Sequence, residues 1–284
     1  MDILTAIPGF TLHLRSQHYS PVTVQYYGQL LTRFAAALGN PPLSPGLDCL
    51  SYLQSLSARG LSLSSVQVHR KVLIAFFRWA QAELDLAPPA LGSTPHFETA
   101  PVVPLTKEQV LKLHKAAKSR RNKAMLLVLL DTGLRASELC RLTISDCDLD
   151  AGTIQVRPFA TGRKSRPRIV LLGTHAKNAL WKYLAERAAE PADPLIATVA
   201  GGPLDRWDLA HILRRIGQAA GVKVHPHQIR HTFAIEYLRA GGDVFTLQRL
   251  LGHASLEMVR HYLALAQADL AAAHRRSSPA DRWL

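Results

Sequence analysis

The chain has 284 residues, a length that is enough for two folded domains. Hydrophobic residues make up 48% of the chain and the mean hydropathy is +0.02, a composition that excludes a disordered chain. It carries 34 Lys and Arg against 21 Asp and Glu, a formal net charge of +13, with most of the basic residues after residue 105. So basic a surface favours a polyanion, above all nucleic acid, although many solvated Arg and Lys side chains would give the same composition.

Targeting and crosslinking features are weak in this sequence. No apolar run approaches the length of a membrane span, and the start, MDILTAIPGF, lacks the basic and long apolar regions of a signal peptide. The three cysteines form no CxxC pair, which argues against a disulfide framework or a cysteine-based zinc site. We therefore expect a cytoplasmic protein with no membrane partner.

The first third of the chain has helical patterns. Apolar residues recur every three or four positions over 21–38 and 64–84, and 47–56 is a shorter candidate helix. A stretch with five prolines, 86–106, interrupts this pattern and is typical of an extended linker. We therefore predict a helical domain over 1–88, a linker over 89–104 and a second domain over 105–284.

In the second domain, the helical pattern of apolar residues is interrupted once by a strand-like pattern. Thr106 and Gln109 form the pattern of a capping box, which predicts a helix to about residue 117. Further helices are predicted at 122–131, 136–142, 175–189, 205–220, 226–240, 243–251, 255–263 and 266–275, the last forming a C-terminal tail. The segments GTIQVRP and PRIVLL are rich in β-branched residues and predict a hairpin. The fold class is thus mainly α with a small antiparallel β-sheet.

The stretch HPHQIRHTFA, residues 225–234, concentrates candidate chemistry. His227 and His231 are four apart on a helix, a spacing that suits two metal ligands, but the neighbouring Arg230 disfavours a cation. His227 and Arg230 also share a face, where an imidazole beside a guanidinium would suit a phosphate. The alternative is an ordinary solvated Arg–His pair. We predict no metal site.

Two further basic segments suit a phosphate. In TGLRASEL, Arg135 begins a helix whose dipole attracts anions, and Glu138 lies three residues on, placed to orient it. The hairpin turn TGRKSRPR is a flexible basic segment that could contact DNA phosphates, through Arg163, Lys164, Arg166 and Arg168. A surface Arg–Glu pair and a solvated turn are the alternatives.

A tyrosine completes the set of reactive side chains. His253 lies at a helix break in LLGHAS, and Tyr262 follows nine residues later. A tyrosine hydroxyl is a poor nucleophile unless cations and a proton acceptor surround it, which arginines and histidines could supply. The alternative is a tyrosine whose ring is half-buried in a helix.

These segments follow one another in a characteristic order. TGLRASEL, a basic β-hairpin, HQIRHTFA, LGH and then Tyr262 resemble the tyrosine recombinase (phage integrase) family, of the simple two-domain Xer-like type. The resemblance implies an N-terminal SAM-like bundle that binds DNA and a catalytic domain shared with type IB topoisomerases. The implied activity is site-specific recombination, in which Tyr262 attacks the scissile phosphate to give a 3′-phosphotyrosyl link.

The same resemblance implies a role for each matched residue. Arg135 and Arg230 would clamp the scissile phosphate, with Glu138 supporting Arg135. His227 would act as general base or phosphate donor, and His253 as a further phosphate contact.

In the family a hairpin lysine protonates the leaving 5′-oxygen. FATGRKSRPR departs from the usual lysine pattern, so Lys164 is our candidate and Arg163 the replacement. His225, His231 and His261 match no catalytic position and are interpreted as structural or DNA-facing.

The resemblance also implies the partners. The chain would bind double-stranded DNA, assemble as a homotetramer on paired sites, exist as a monomer or dimer in isolation, and require neither ATP nor metal. Two alternatives remain open: relaxation of DNA in the manner of a type IB topoisomerase, and a catalytically inert DNA-binding accessory protein.

Overall fold

The computed structural model describes residues 1–92, 103–158 and 166–252, together with Tyr262, Ser278 and Ala280. These residues form two compact units, an N-terminal unit up to Gly92 and a C-terminal unit from Val103 onward. The architecture is mainly helical with one three-stranded antiparallel sheet, which confirms the predicted fold class. Among the helices described, none combines the length and apolar character needed to cross a bilayer.

Four helices form the N-terminal unit: α1 (Ile3–Ser16), α2 (Pro21–Leu38), α3 (Cys49–Ala58) and α4 (Leu63–Leu84). Each helix begins after an N-cap residue whose side chain accepts a hydrogen bond from a backbone N–H of the first turn. The N-cap residues are Asp2, Ser20, Asp48 and Ser62 respectively. The sequence predicted the last three helices but not α1, whose interior contains Pro8. Helix α1 forms nonetheless because it buries an apolar stripe that includes Phe10.

Aromatic rings fill the core of the N-terminal unit. Phe76, which is fully buried, lies 5.4 Å from Phe10 and 5.2 Å from Phe77 between ring centroids, both in edge-to-face geometry. Phe34 packs edge-to-face on Phe77 at 6.3 Å. This aromatic cluster joins α1, α2 and α4.

The C-terminal unit contains seven described helices: α5 (Lys107–Ala116), α6 (Arg120–Thr132), α7 (Ala136–Leu139), α8 (Thr174–Leu184), α9 (Arg206–Ala220), α10 (Pro226–Arg239) and α11 (Val244–Leu251). The predicted capping box before α5 is present, with Thr106 and Gln109 bonded to each other's backbone. The helix predicted at 136–142 ends early at Leu139 and is followed by a 3₁₀ turn, Ile144–Asp146. Of the two helices predicted after residue 254, only Tyr262 is described.

The sheet has the order β1 (Cys147–Asp148), β2 (Thr153–Val156) and β3 (Arg168–Leu171), all antiparallel. Strands β2 and β3 are the predicted hairpin, with Ile154 opposite Val170, both buried. Strand β1 was missed because two residues carry no periodicity. The turn residues 159–165 lie outside the part of the chain that the structure describes.

Two helix ends set the geometry of the site. Gly133 ends α6 with a φ of 60°, and a Cβ there would clash with Phe233 and with Leu251 Cδ2. Only glycine fits both this left-handed backbone and the close approach. Helix α11 ends at Leu251, immediately before Gly252, whose φ is 64°. The last carbonyl groups of α6 and α11 therefore lie beside α10.

Candidate active site

Helix α10 carries the histidine–arginine stretch. His225 is its N-cap and accepts the Gln228 N–H at Nδ1 over 3.2 Å, while Pro226 occupies the first helical position. The structure thus gives His225 a structural position, in agreement with its interpretation. Beyond it, His227, Arg230 and His231 follow along the helix.

Arg230 lies where the ends of two other helices meet α10. Its guanidinium donates to the Gly133 carbonyl oxygen at 2.7 Å and to the Leu251 carbonyl oxygen at 2.8 Å. Both acceptors are at helix C-termini, where the helix dipole favours a cation. The residue is only 3% exposed. These two bonds fix the guanidinium in one orientation although the chain segments involved are far apart in sequence.

Glu138 connects Arg230 to two other arginines. Its carboxylate accepts two hydrogen bonds from the Arg168 guanidinium, at 3.0 and 2.8 Å, and one from Arg135 Nη1 at 3.1 Å. Its Oε2 lies 4.0 Å from Arg230 Nη1. Glu138 also accepts the Arg135 backbone N–H at 2.9 Å, which closes the short helix α7. We call these four residues the arginine–glutamate cluster.

The electrostatics of the arginine–glutamate cluster follow from its burial. Burial raises the pKa of Glu138, but the hydrogen bonds and charge of Arg168, and then of Arg135, outweigh it and lower the pKa to about 2. Burial, followed by the charge of Arg135, lowers the pKa of Arg230 to about 9, which leaves it protonated at neutral pH. Three guanidinium groups and one carboxylate leave two net positive charges, which suit a phosphate.

Arg168 differs from its predicted role. We expected it to contact DNA from the hairpin turn, but it lies in β3 with a side chain only 6% exposed. Besides Glu138, its guanidinium donates to the Leu250 carbonyl oxygen at 2.6 Å. Because these bonds occupy both edges of the group, we revise its role from DNA contact to support of Glu138. Arg166, two residues earlier, is exposed.

Tyr262 is buried beside the arginine–glutamate cluster. It is 3% exposed and packs in an apolar cluster with Ala234, Ile235, Leu247 and Leu251. Burial raises the pKa of its hydroxyl above the ordinary value, and the opposing charges of Arg230 and Arg135 offset this rise only in part. The buried phenol is therefore protonated at neutral pH and lies within the field of two arginines.

His231 contacts Tyr262 directly, a contact that the sequence interpretation did not predict. Its Nδ1 lies 2.8 Å from the Tyr262 hydroxyl oxygen, and the two ring centroids are 5.4 Å apart. The available signal was the spacing: His231 is one helical turn after His227, so both share a face of α10.

His227 lies on the more open side of the same face. Its ring centroid is 6.3 Å from that of His231, and its side chain is exposed. Partial burial first, then the charges of Arg230, His225 and Arg135, lower the pKa of His227. The imidazole is therefore neutral near pH 7 and able either to accept a proton or to donate one N–H.

The structure thus brings together six of the predicted site residues: Arg135, Glu138, Arg168, His227, Arg230 and Tyr262. Arg163, Lys164, His253 and His261 lie outside the described residues. A tyrosine hydroxyl, two imidazoles and a net positive guanidinium cluster in one place suit attack of a tyrosine on a phosphodiester.

Comparison with known proteins identifies the family. Residues 104–269 match the model of the phage integrase family. The chain is 30% identical to tyrosine recombinase XerA of Thermococcus kodakarensis over 95% of this chain and 94% of that protein. The chain belongs to the phage integrase family of tyrosine recombinases. It is accordingly a site-specific DNA recombinase, an enzyme that cleaves and rejoins DNA.

Other tyrosine recombinases agree in sequence or fold. XerC of Anoxybacillus flavithermus is 33% identical over 82% of this chain and 81% of that protein. The Tn1549 transposon integrase, in complex with a circular intermediate DNA, has a TM-score of 0.76 at 23% identity and covers 90% of this chain and 94% of its own. A lambda integrase tetramer bound to a Holliday junction has a TM-score of 0.74 at 22% identity. The match covers 90% of this chain and 78% of the lambda integrase chain. The similarity to XerA and XerC makes the recombinase one of the Xer-like type.

Proposed function

We propose that this recombinase cleaves duplex DNA by attack of the Tyr262 hydroxyl oxygen on the scissile phosphorus. The bond from phosphorus to the 5′-oxygen breaks, which leaves a 3′-phosphotyrosyl link and a free 5′-hydroxyl. The observation that carries this proposal is the buried Tyr262 hydroxyl bonded to an imidazole within the field of Arg230 and Arg135. The phosphotyrosyl bond conserves the energy of the broken bond, so rejoining requires neither ATP nor metal.

Arg135 and Arg230 would bind the non-bridging oxygens of the scissile phosphate and stabilise the charge that develops on them. Arg230 is suited to this role because two carbonyl groups already fix its plane. Glu138 would hold Arg135, and Arg168 would hold Glu138. A site ordered before DNA binds loses less entropy when it binds.

The remaining roles complete the site. His227 would serve as general base or as a hydrogen-bond donor to the phosphate, the two roles that the family resemblance leaves open. His253 would be a further phosphate contact. Lys164, or Arg163 in its place, would protonate the leaving 5′-oxygen, while Arg163 and the exposed Arg166 would contact DNA.

We further propose the assembly in which this chemistry occurs. Residues 1–88 would be a SAM-like core-binding domain for double-stranded DNA, 89–104 a linker and 105–284 the catalytic domain. Exchange between two duplexes needs four active sites, so the active form would be a homotetramer on paired sites, formed from a monomer or dimer. The lambda integrase tetramer on a Holliday junction has a similar fold. The three free cysteines suit a reducing cytoplasm.

The first test traps the covalent intermediate. Overlapping duplexes from both sides of the gene would carry nicks that release the 5′-hydroxyl fragment, and would be incubated with protein in EDTA. A denaturing gel should show a protein–DNA adduct with the wild type and none with Tyr262→Phe. Tyr237→Phe, which removes a hydroxyl from the same apolar cluster, is the matched control and should retain the adduct.

The outcomes separate the alternatives. An adduct that persists in Tyr262→Phe would refute the proposed nucleophile. DNA that the wild type binds without forming any adduct would favour an inert DNA-binding accessory protein. Mixing two adduct-forming duplexes should yield exchanged strands, whereas relaxation of supercoiled DNA without exchange would indicate a topoisomerase-like activity.

A further inference from the structure

We propose that His231 is a catalytic residue of this recombinase: it accepts the proton of the Tyr262 hydroxyl during attack, and His227 donates to the phosphate instead. This inference rests on the proposed nucleophilic role of Tyr262. It resolves the two roles that the family resemblance leaves open for His227, and it assigns chemistry to a histidine interpreted from sequence as structural or DNA-facing.

The geometry places the acceptor on the nucleophile before DNA binds. His231 Nδ1 and the Tyr262 hydroxyl oxygen are 2.8 Å apart, the distance of a hydrogen bond through which a proton can transfer. The hydroxyl belongs to a residue that is 3% exposed and packed among aliphatic side chains, so bulk water has little access to it. A proton that leaves this oxygen therefore needs an acceptor inside the protein.

The helix holds this acceptor firmly. His231 follows Arg230, whose guanidinium bonds to the ends of α6 and α11, and precedes Thr232. The Thr232 hydroxyl accepts the Leu105 backbone N–H at 2.8 Å and donates to the Gln228 carbonyl oxygen at 2.8 Å. With both sequence neighbours fixed, the His231 backbone has little freedom. Fixed positioning of a base against a nucleophile is itself a large part of its catalytic effect.

His227 is placed for the other role. Its exposed imidazole lies one turn earlier on α10, near enough to Arg230 and Arg135 for their charges to lower its pKa. We place the phosphate against these two arginines, where an imidazole N–H of His227 would donate to it. The two histidines thus have different roles: His231 contacts the attacking oxygen, and His227 would contact the phosphate.

The proton transfer is balanced as follows. In the tautomer that this proposal requires, neutral His231 carries its proton on Nε2 and has a lone pair on Nδ1. As the bond from the Tyr262 oxygen to phosphorus forms, the phenolic proton moves to Nδ1 and gives an imidazolium. The phosphorus–O5′ bond breaks, and the 5′-oxygen takes a proton from the proposed hairpin-turn cation, Lys164 or Arg163. In rejoining, the 5′-hydroxyl attacks phosphorus and returns its proton to the same hairpin-turn group. The bond from phosphorus to the Tyr262 oxygen breaks, and the imidazolium returns its proton to the leaving phenolate.

The decisive kinetic experiment uses two substrates and three variants of the full chain. His231→Ala removes the acceptor, whereas His231→Asn keeps an amide oxygen near the Nδ1 position, able to accept a hydrogen bond but not a proton. His175→Asn, an exposed histidine of α8, is the matched control. One duplex carries the natural 5′-oxygen at the scissile phosphate, and the other carries a bridging 5′-sulfur, which leaves without needing a proton.

We expect both His231 variants to form the adduct about 100-fold or more slowly on both substrates, with His175→Asn unchanged. Adduct formation by His231→Asn at the wild-type rate would show that His231 only positions the tyrosine. Recovery of either variant on the sulfur substrate would place His231 on the leaving-group side. Either result would overturn the proposal.

A measurement without DNA separates this proposal from the proposed function. The ¹⁵N shifts of histidine-labelled wild-type protein report the tautomer of each imidazole, and the His231 signals are those lost in His231→Asn. We expect His231 to carry its proton on Nε2, with Nδ1 as acceptor. A proton on Nδ1 would exclude His231 as the base even if Tyr262 proves to be the nucleophile. If His231 carries its proton on Nε2 as expected but no adduct forms on any DNA, the proposed function alone would be contradicted.

Discussion

The aromatic cluster of the N-terminal unit is buried and the arginine–glutamate cluster of the C-terminal unit is largely buried, but different forces stabilise them. The aromatic cluster stabilises the N-terminal unit because it removes apolar area from water and forms edge-to-face contacts. Its members are Phe10, Phe34, Phe76 and Phe77. The arginine–glutamate cluster instead buries charges, which costs free energy unless each is paired. An apolar core tolerates substitutions that conserve apolar volume, whereas a buried charge cluster requires particular charged partners and can bind an anion.

The largest effect should come from a change that keeps charge but breaks geometry. In Arg230→Lys the ammonium cannot reach the carbonyl groups of Gly133 and Leu251 and still present a planar fork to the phosphate. We expect the rate of adduct formation to fall about 10³-fold, or about 4 kcal/mol in barrier, with the fold retained. Arg239→Lys, at the exposed end of the same helix, should not change the rate. A loss smaller than tenfold for Arg230→Lys would contradict the proposed clamp.

The aromatic cluster should respond in stability rather than chemistry. Phe76→Ala removes a fully buried ring and leaves a cavity, so we expect the free energy of unfolding of the N-terminal unit to fall by about 4 kcal/mol. Hydrogen exchange of the α4 amides measures this loss, which should be equal at pH 4 and pH 7 because no ionisable group is removed. Leu12→Ala, at a side chain that is already 66% exposed, is the control. A loss below about 1 kcal/mol would show that the core closes around the cavity.

The arginine–glutamate cluster should lose stability in a pH-dependent manner. Since the folded-state pKa of Glu138 is about 2, its ionised form stabilises the protein fully above its ordinary pKa near 4.5, and this contribution is lost as pH falls toward 2. We expect Glu138→Gln to reduce the free energy of unfolding of the C-terminal unit by about 3 kcal/mol at pH 7. Urea titrations should show the gap between wild type and variant narrowing below pH 4.5.

The matched control for Glu138→Gln is an exposed ion pair. Glu236 contacts Arg239 at 2.7 Å with both side chains about half exposed, so Glu236→Gln should change the free energy of unfolding by less than about 0.5 kcal/mol. If the gap for Glu138→Gln stayed constant from pH 7 to pH 3, the carboxylate charge would not be its source.

Much of the secondary structure could be predicted from local sequence. Helix α2 agrees with its predicted bounds because an apolar stripe coincides with a Ser20 cap and Pro21 at the first position. The capping box before α5 and the β2–β3 hairpin were visible for similar reasons. Helix α1 was not, because Pro8 opposes helix locally and only tertiary burial of its apolar stripe outweighs that cost.

The sequence by itself determined most of the described helices, the hairpin and, through the order of its motifs, the expectation that Arg135, Arg230 and Tyr262 belong to one site. Only the tertiary structure decided that Arg168 holds Glu138, 30 residues away, and that His231 contacts Tyr262, 31 residues away. The reason is physical: periodicity shows which residues share a face of a helix, but which side chain from another element covers that face depends on how the whole chain packs.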